Sequence, residues 1–521
     1  MPRVRPLIRL LRSTLPGLGS LVLACGEPSV ELSPVSPVAP PVRASGAATP
    51  VDVCPAGGIA PSQQPRTQPE HETLGYWLVR TAEVADLDRP VLGATEVSGH
   101  NAAMLRSRAL GFGGRADLRA PIDVVALAGG LQARLGVLRQ RFSDGKFVQL
   151  DGTPVPAGLQ ARYAVEITPE ALAQDLRAPR LAAGTDGQTG GPTGGQIDGQ
   201  TGAPEPELRV ALDLIPIHCG PQIEPYYSTS LDPDFDRNLC SMARPQEIVQ
   251  VLRPWGNELL LARTSYVVGW IDGRSARLSP PLAPAELRAF LDGPHRRVGE
   301  NLSLPLEGGG SQTLPFASLI PVAPGAAGKV WVATAEGVRT GLAEGPAFAE
   351  VPRPLTRRAV LTEAFAYLGQ PYGWGDRAGG RDCSRYLMDL FAGLGVALPR
   401  HTSDQAQAGS YVVEVPTELA EPPRLALLDE HNRRGIVLLH FPGHIMLYLG
   451  RDAGGTPMAI HSFAEFLVPC ADRAAGAPAG ERETLLKVDG VHVSDLELGR
   501  GTSRTAFIQR ITKITVLGPA R

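Results

Sequence analysis

The stretch "AAGTDGQTGGPTGGQIDGQTGAPEPE", residues 182–207, offers almost nothing that a protein core could bury. Gly, Thr and Gln recur in a loose GQTGG-like echo, the composition of a linker or of a long loop inserted at a domain boundary. A second stretch, "SPVSPVAPPVRASG" and its surroundings, is rich in Pro, Ala, Ser and Val and reads as an extended, solvated tether. These segments divide a chain of 521 residues that is already too long for one ordinary core. The expected blocks are a leader over 1–25, a tether over 26–70, a small mixed α/β N-terminal stabilising domain over 71–178, and a linker over 179–207. Two small β-barrels over 208–275 and 276–350 and a C-terminal domain over 351–521 follow.

The net charge of −3 gives no reason to expect a nucleic-acid partner. No apolar run is long enough to span a bilayer. The N-terminus has Arg3, Arg5, Arg9 and Arg12 without acidic residues, then the short apolar stretch "LPGLGSLVLAC". This pattern reads as a secretory signal. Val22-Leu23-Ala24-Cys25 resembles a bacterial lipobox, which implies Cys25 as a lipid-bearing first mature residue and a membrane attachment through that lipid. Gly26 is not acidic, so the expectation is a periplasm-facing cell-envelope lipoprotein held at the outer membrane. Export permits disulfides, and Cys219 and Cys240 fall in one block and could pair, although nothing in the sequence fixes that connectivity. Cys54 has no assigned role. With no close CxxC pair, a zinc ribbon is not expected.

In 71–178, "PIDVVALAGGLQARLGVLRQRF" spaces Ile122, Val125, Leu131, Leu135 and Leu138 near helical period, interrupted by Gly129-Gly130. "GKFVQLDGTPVPAG" reads as a short strand pair around a turn. His71 and His100 are read as surface residues rather than ligands. From 208 to about 350, short segments such as "EIVQVL", "ELLLARTSYVVGWI" and "KVWVATAEGVRTGLA" suggest small barrels. The Gly-Trp of "SYVVGWI" resembles the closing strand of bacterial Src-homology-three-like barrels. "DPDFD" has aspartates at calcium-loop spacing but lacks the following glycine and the distal Glu, so it reads as a loop.

Chemistry concentrates in the last block. "LTEAFAYLG" places Leu361, Phe365 and Leu368 on one helical face, ended by Gly369. The glycine-rich "QPYGWGDRAGGRDCS" leads into a second helix whose buried face is Leu387, Leu390, Phe391 and Leu394. Asp382 is placed as its N-cap, so Cys383 sits at a helix N-terminus, where unpaired N–H groups and the dipole favour a thiolate. A thiolate nucleophile needs a base and an orienting group. "RGIVLLHFPGHIMLYLG" reads as two strands around a Pro-Gly turn, and "MAIHSF" as a third. Adjacent antiparallel strands could set His444 beside His461. The competing zinc reading is short of ligands, since structural sites want four and His440 is the only nearby addition. His440, His431 and His401 are read as structural or exposed.

The run "YLGQPYGWGDRAGGRDCSRYLMDLFAGLGVALPRHTSDQAQAG", with "GHIMLYLG" and "AIHSF", resembles the NlpC family of papain-like cell-wall cysteine peptidases. The upstream barrels are similar to those of its multidomain branch, which cleaves peptidoglycan peptides after D-glutamate. The resemblance implies a multidomain chain ending in an α+β papain-like domain and needing neither metal nor organic cofactor. It implies Cys383 as nucleophile, His444 as base and His461 as third polar residue. Tyr372 and Trp374 would line the substrate cleft, with Tyr372 near the oxyanion site, and Asp382 and Ser384 would bind the substrate's amino end. The implied substrate is a peptidoglycan stem peptide with free N-terminal L-Ala, cut at its γ-D-glutamyl-diamino acid bond by a monomeric enzyme. Departures are Arg385, where many members carry Gly, the lengthened "RDAGGTP" turn, and an inserted-looking "RAAGAPAGERE" at 473–483. The alternatives are a peptidoglycan-binding lipoprotein with little catalysis, and an amidase or acyltransferase on the same fold.

Overall fold

A computed structural model of the chain describes residues 59–60, 67–106, 117–177, 207–230, 232–256, 258–470 and 482–519. Cys25 and Cys54, the expected leader, most of the expected tether, the expected linker up to 206 and residues 471–481, which include most of the inserted-looking stretch, lie outside these residues.

The apolar alternation of residues 436–451 folds as expected into the strands Ile436–Phe441 and His444–Arg451, paired antiparallel across a tight turn. Gly443 takes a positive φ of 89° there, which a side chain would resist. These two strands lie inside a seven-stranded sheet. Its order is Ile59–Ala60, Glu483–Asp495, Pro457–Pro469, His444–Arg451, Ile436–Phe441, Lys513–Leu517, Tyr411–Glu414. Pairing is antiparallel throughout, except that Ile59–Ala60 runs parallel to its neighbour. The pleat sends alternate residues to opposite faces. Leu438, Ile445, Leu447, Ile460 and Val493 share a core with Leu361 and Leu387 of the helices Arg357–Ala366 and Cys383–Ala392. Leu439, Met446, Ala459 and Val516 face the other way, with Leu428 of the helix Glu421–Arg434 and Phe507. Burying each such leucine contributes roughly 1.5–3 kcal/mol, so the sheet is sandwiched rather than one-sided.

Residues 71–178 do not form one domain with its own core. Trp77, Leu92 and Met104, from the helices Leu74–Ala82 and Ala94–Arg106 and the chain between them, join the core of the C-terminal sheet. Leu131, Leu135 and Leu138 instead pack with Ile217, Leu252 and Trp270 of the first β unit. Each half is too short to enclose a core alone and borrows one from a larger neighbour. The helix carrying the second half, Val124–Ser143, runs straight through Gly129-Gly130, because its buried leucines outweigh a glycine penalty of about 1 kcal/mol each. Val125, expected on its buried face, is 66% exposed. The stretch read as a tether also contributes Ile59–Ala60 to the sheet edge.

The first β unit is a six-stranded antiparallel sheet. Its strand order is Glu207–Val210, Ile248–Trp255, Leu259–Arg263, Val268–Asp272, Ile215–His218, Leu239–Ala243. Trp270 is fully buried in it, and Cys219 and Cys240 are joined by a disulfide. The second β unit has three short sheets around Val298, Leu304, Leu314, Ile320, Val330 and Val332. It is tied to the C-terminal domain by Arg297, whose guanidinium lies 3.0 Å from the fully buried carboxylate of Glu363. No helix among the described residues is long and apolar enough to cross a membrane.

The bridge between Cys219 and Cys240 closes a loop across 21 residues of the first β unit. Such a loop adds about 3 kcal/mol by restricting the unfolded chain. The Cys219→Ala/Cys240→Ala variant is expected to lose that amount of local stability, read as faster hydrogen exchange in Leu239–Ala243. Unchanged exchange would show that the bridge does not support the unit.

Candidate active site

The site is built on a loop that packing alone would not choose. Between Tyr372 and Cys383 the chain takes positive φ at Gly375, Asp376, Ala378 and Gly379. A Cβ on Gly375 would come within 2.9 Å of the Leu239 carbonyl oxygen in the first β unit, so this position tolerates only glycine. The loop is laced to the histidine strands. Ser462 Oγ donates to the Arg381 carbonyl at 2.6 Å, Tyr372 N donates to the Asp489 carbonyl and Val491 N to the Gln370 carbonyl. Cys383 is therefore delivered beside the strand carrying His461. It is the first residue of the helix Cys383–Ala392, is 6% exposed, and its thiol is not part of a disulfide. Asp382 caps the helix, its Oδ1 accepting from Arg385 N at 2.9 Å. The helix packs against the strands of both His444 and His461.

His444 and His461 meet as the strand order predicts: His444 Nε2 lies 2.7 Å from His461 Nδ1. The His461 ring stacks on Phe463 with centroids 4.0 Å apart, and its Nε2 lies 2.8 Å from Ser494 Oγ. Burial pushes His444 down to about 3, reinforced by cationic Arg510 and by His440 and partly opposed by Asp382. Burial, then His444 and His492, also hold His461 well below its ordinary value. Both rings are thus neutral at physiological pH in the resting site. With His444 Nε2 engaged by His461, its Nδ1 is the nitrogen that can serve a thiol.

Sequence reasoning missed the charged cluster under the loop. Arg400 is fully buried and reaches Asp382 at 2.7 Å and Asp376 at 3.2 Å. It also donates to Ser384 Oγ and to Ser241 Oγ, the latter from the first β unit. Arg385 is also buried. It pairs with Asp389 at 2.7 Å, takes Tyr266 Oη at 2.9 Å, and ion-pairs with Glu247 of the first β unit. Arg385 therefore bolts the helix to the first β unit. The one signal available for Arg400 was the "LPR" stretch.

Asp382 and Ser384, expected to bind substrate, are 3% and 2% exposed. Asp382 Oδ1 accepts from Arg385 N, Ser384 Oγ and Arg400, and Oδ2 accepts from Arg400 and Gly375 N. Burial alone would raise this carboxyl, but Arg400 and these donors lower it, so it stays ionised. Its acceptor capacity is spent on the protein. Tyr372 is half-buried and faces Phe235, with ring centroids 6.2 Å apart. Trp374 is 9% exposed, donates to the Asp236 carbonyl, and carries Arg237 over its ring. Both belong under the "DPDFD" loop of the first β unit, which Lys487 holds through Asp234 at 2.6 Å. Trp374 is a buried support for that loop rather than an open lining residue.

His71 is buried, 3.6 Å from Asp452, and His100 donates to the Ala397 carbonyl, so neither is the surface residue expected. Both help dock the N-terminal helices. His440 and His431 are buried, and His431 meets Tyr411 Oη at 3.2 Å. No group of three or more His, Cys, Asp or Glu among the described residues is arranged to hold a metal.

A profile of the NlpC/P60 family matches residues 369–465. The chain is 32% identical over 120 residues to peptidoglycan endopeptidase RipB of Mycobacterium tuberculosis, an alignment covering 19% of this chain and 44% of that protein. It is 34% identical over 92 residues to the gamma-D-glutamyl-L-lysine dipeptidyl-peptidase of Bacillus subtilis, covering 18% of this chain and 28% of that one. The chain thus spans less than half the length of either curated relative. Among solved structures, an NlpC/P60 endopeptidase from Photobacterium damselae subsp. piscicida superposes with a TM-score of 0.59 at 13% identity. That likeness covers 84% of this chain and 97% of the other, and shows a shared multidomain fold. The matched residues hold Cys383, His444 and His461, so the part of the chain that carries this site is an NlpC/P60 domain.

Proposed function

We propose that this protein is a peptidoglycan cysteine endopeptidase that cuts the γ-D-glutamyl-diamino acid bond of stem peptides. The observation that carries the reading is the 2.7 Å contact between His444 and His461 beside a helix that begins at Cys383. The bond choice draws on the printed activity of the Bacillus subtilis relative. His444 Nδ1 takes the thiol proton as Cys383 Sγ attacks the amide carbonyl carbon. The oxyanion forms near the backbone N–H groups of the helix N-terminus, with Tyr372 at the same edge. His444 gives the proton to the leaving amine, the C–N bond breaks and a thioester remains. Water, deprotonated by His444, then attacks the thioester and releases the D-glutamyl carboxylate and the thiol. His461 holds the His444 ring through its other nitrogen.

The "DPDFD" loop over Tyr372 and Trp374 supports a cleft closed at one end by the first β unit. A closed end favours short stem peptides with free N-terminal L-Ala over peptides still attached to glycan. Asp382 is not the partner of that amino group, because its oxygens are committed to Arg400 and the helix. Lipid attachment at Cys25 and an outer-membrane location belong to the same proposal and rest on the N-terminal sequence alone.

With L-Ala-γ-D-Glu-diaminopimelate as substrate and mass spectrometry of the products, Cys383→Ala and His444→Ala are each expected to lower kcat by about 10⁴-fold or more. His461→Ala should lower it by about 10²-fold, since this ring only orients the base. Full activity in Cys383→Ala at unchanged circular dichroism would overturn the mechanism.

The N-acetylated form of the same substrate should be cut more slowly than the free form, because a closed end leaves no room for the acetyl group. Equal rates would reject the closed end while leaving the peptidase assignment in place.

A further inference from the structure

The contact between the two histidines leaves open which ring carries the shared proton. That choice decides whether His444 can act as a base. If His461 donated from Nδ1, then His444 Nε2 would be the acceptor and His444 Nδ1 would already hold the ring's only proton. The answer lies one residue further along the chain of contacts, on the neighbouring strand.

Ser494 Oγ is 2.8 Å from His461 Nε2 and 3.0 Å from the carbonyl oxygen of Asp495. A hydroxyl has one proton to give and a carbonyl oxygen only accepts. With the serine proton given to the Asp495 carbonyl, Ser494 Oγ accepts from His461 Nε2–H. A neutral imidazole with its proton on Nε2 has a bare Nδ1. His461 Nδ1 then accepts from His444 Nε2–H, and the lone pair of His444 comes to rest on Nδ1, the nitrogen left for Cys383. All three side chains are buried, with Ser494 and His461 at 0% exposure, so no bulk water offers an alternative proton arrangement.

We propose that Ser494 is a positioning residue that sets the tautomer of His461 and, through it, the working base of His444. The proposal rests on His444 acting as the base of the proposed peptidase. The same hydrogen-bond chain persists after His444 takes the thiol proton, because His444 Nε2–H still points at His461 Nδ1. The relay therefore serves the resting pair and the charged one alike.

Three measurements on the full chain test it. Long-range ¹H–¹⁵N correlation of ¹⁵N-histidine-labelled wild-type protein, with rings assigned by single-histidine substitution, should show His461 protonated on Nε2 and bare on Nδ1. Iodoacetamide alkylation at Cys383, quantified by peptide mass spectrometry at neutral pH, should slow about tenfold in Ser494→Ala and recover in Ser494→Thr. Cleavage of the γ-D-glutamyl peptide should lose kcat by a similar factor with KM unchanged. A purely structural serine would lower thermal stability without this split. A wild-type His461 proton on Nδ1, or a folded Ser494→Ala with wild-type alkylation and kcat, overturns the proposal. If Ser494→Ala does not fold, the wild-type tautomer still decides. If wild type does not cut the peptide, the functional reading fails, while the tautomer and the alkylation rates still judge Ser494.

Discussion

The guanidinium of Arg400 is fully buried between two carboxylates, Asp376 and Asp382, and three parts of the molecule depend on that placement. Asp382 begins the helix of Cys383. Asp376 sits in the loop with a φ of 71°, a conformation a non-glycine residue holds only when its surroundings impose it. Ser241, which bonds both Arg400 and Asp376, belongs to the first β unit. Removing one member of such a buried group leaves an uncompensated charge, at a cost of about 3–5 kcal/mol. The cluster also bears on the chemistry. An ionised Asp382 next to Cys383 would by itself oppose a thiolate, and Arg400 cancels that field, leaving the helix N-terminus to favour the anion.

Arg385 extends the same logic across the domain boundary. On the first turn of the helix, it joins Asp389 of its own helix to Glu247 and Tyr266 of the first β unit. Burial would disfavour its charge, but Asp389, Glu247 and Asp376 more than offset it and keep the guanidinium ionised. The first β unit is thus part of the framework of the site, and its "DPDFD" loop forms the wall over Tyr372 and Trp374. The N-terminal segment docks on the C-terminal domain, with Trp77 buried in its core and Glu72 bonded to His492 at 2.9 Å.

Local patterns were the most legible. The cysteine at a helix start, the Pro-Gly turn and the alternating strands follow from short-range chemistry, and the His444–His461 pair follows from antiparallel adjacency. What could not be read were contacts between distant segments. Nothing local to Asp382 announces that Arg400 will saturate it, so a substrate role looked available when the carboxylate was already committed. Nothing in residues 71–178 shows that Leu92 and Leu131 enter different cores. Ser494 escaped notice for the same reason: its importance depends on strand register, which sets it diagonal to His461 through the His461–His492 pair. Conversely, Gly129-Gly130 looked like an interruption because propensity is visible locally and the burial that outweighs it is not.

The central claim is that Cys383 forms the covalent intermediate. Rapid acid quench of full-length protein turning over L-Ala-γ-D-Glu-diaminopimelate, followed by peptide mapping, tests it directly. The account predicts a transient thioester on the Cys383 peptide with the mass of an L-Ala-γ-D-Glu acyl group, absent when the thiol is alkylated beforehand. Continued turnover by protein fully alkylated at Cys383, with no adduct at that residue, would contradict it.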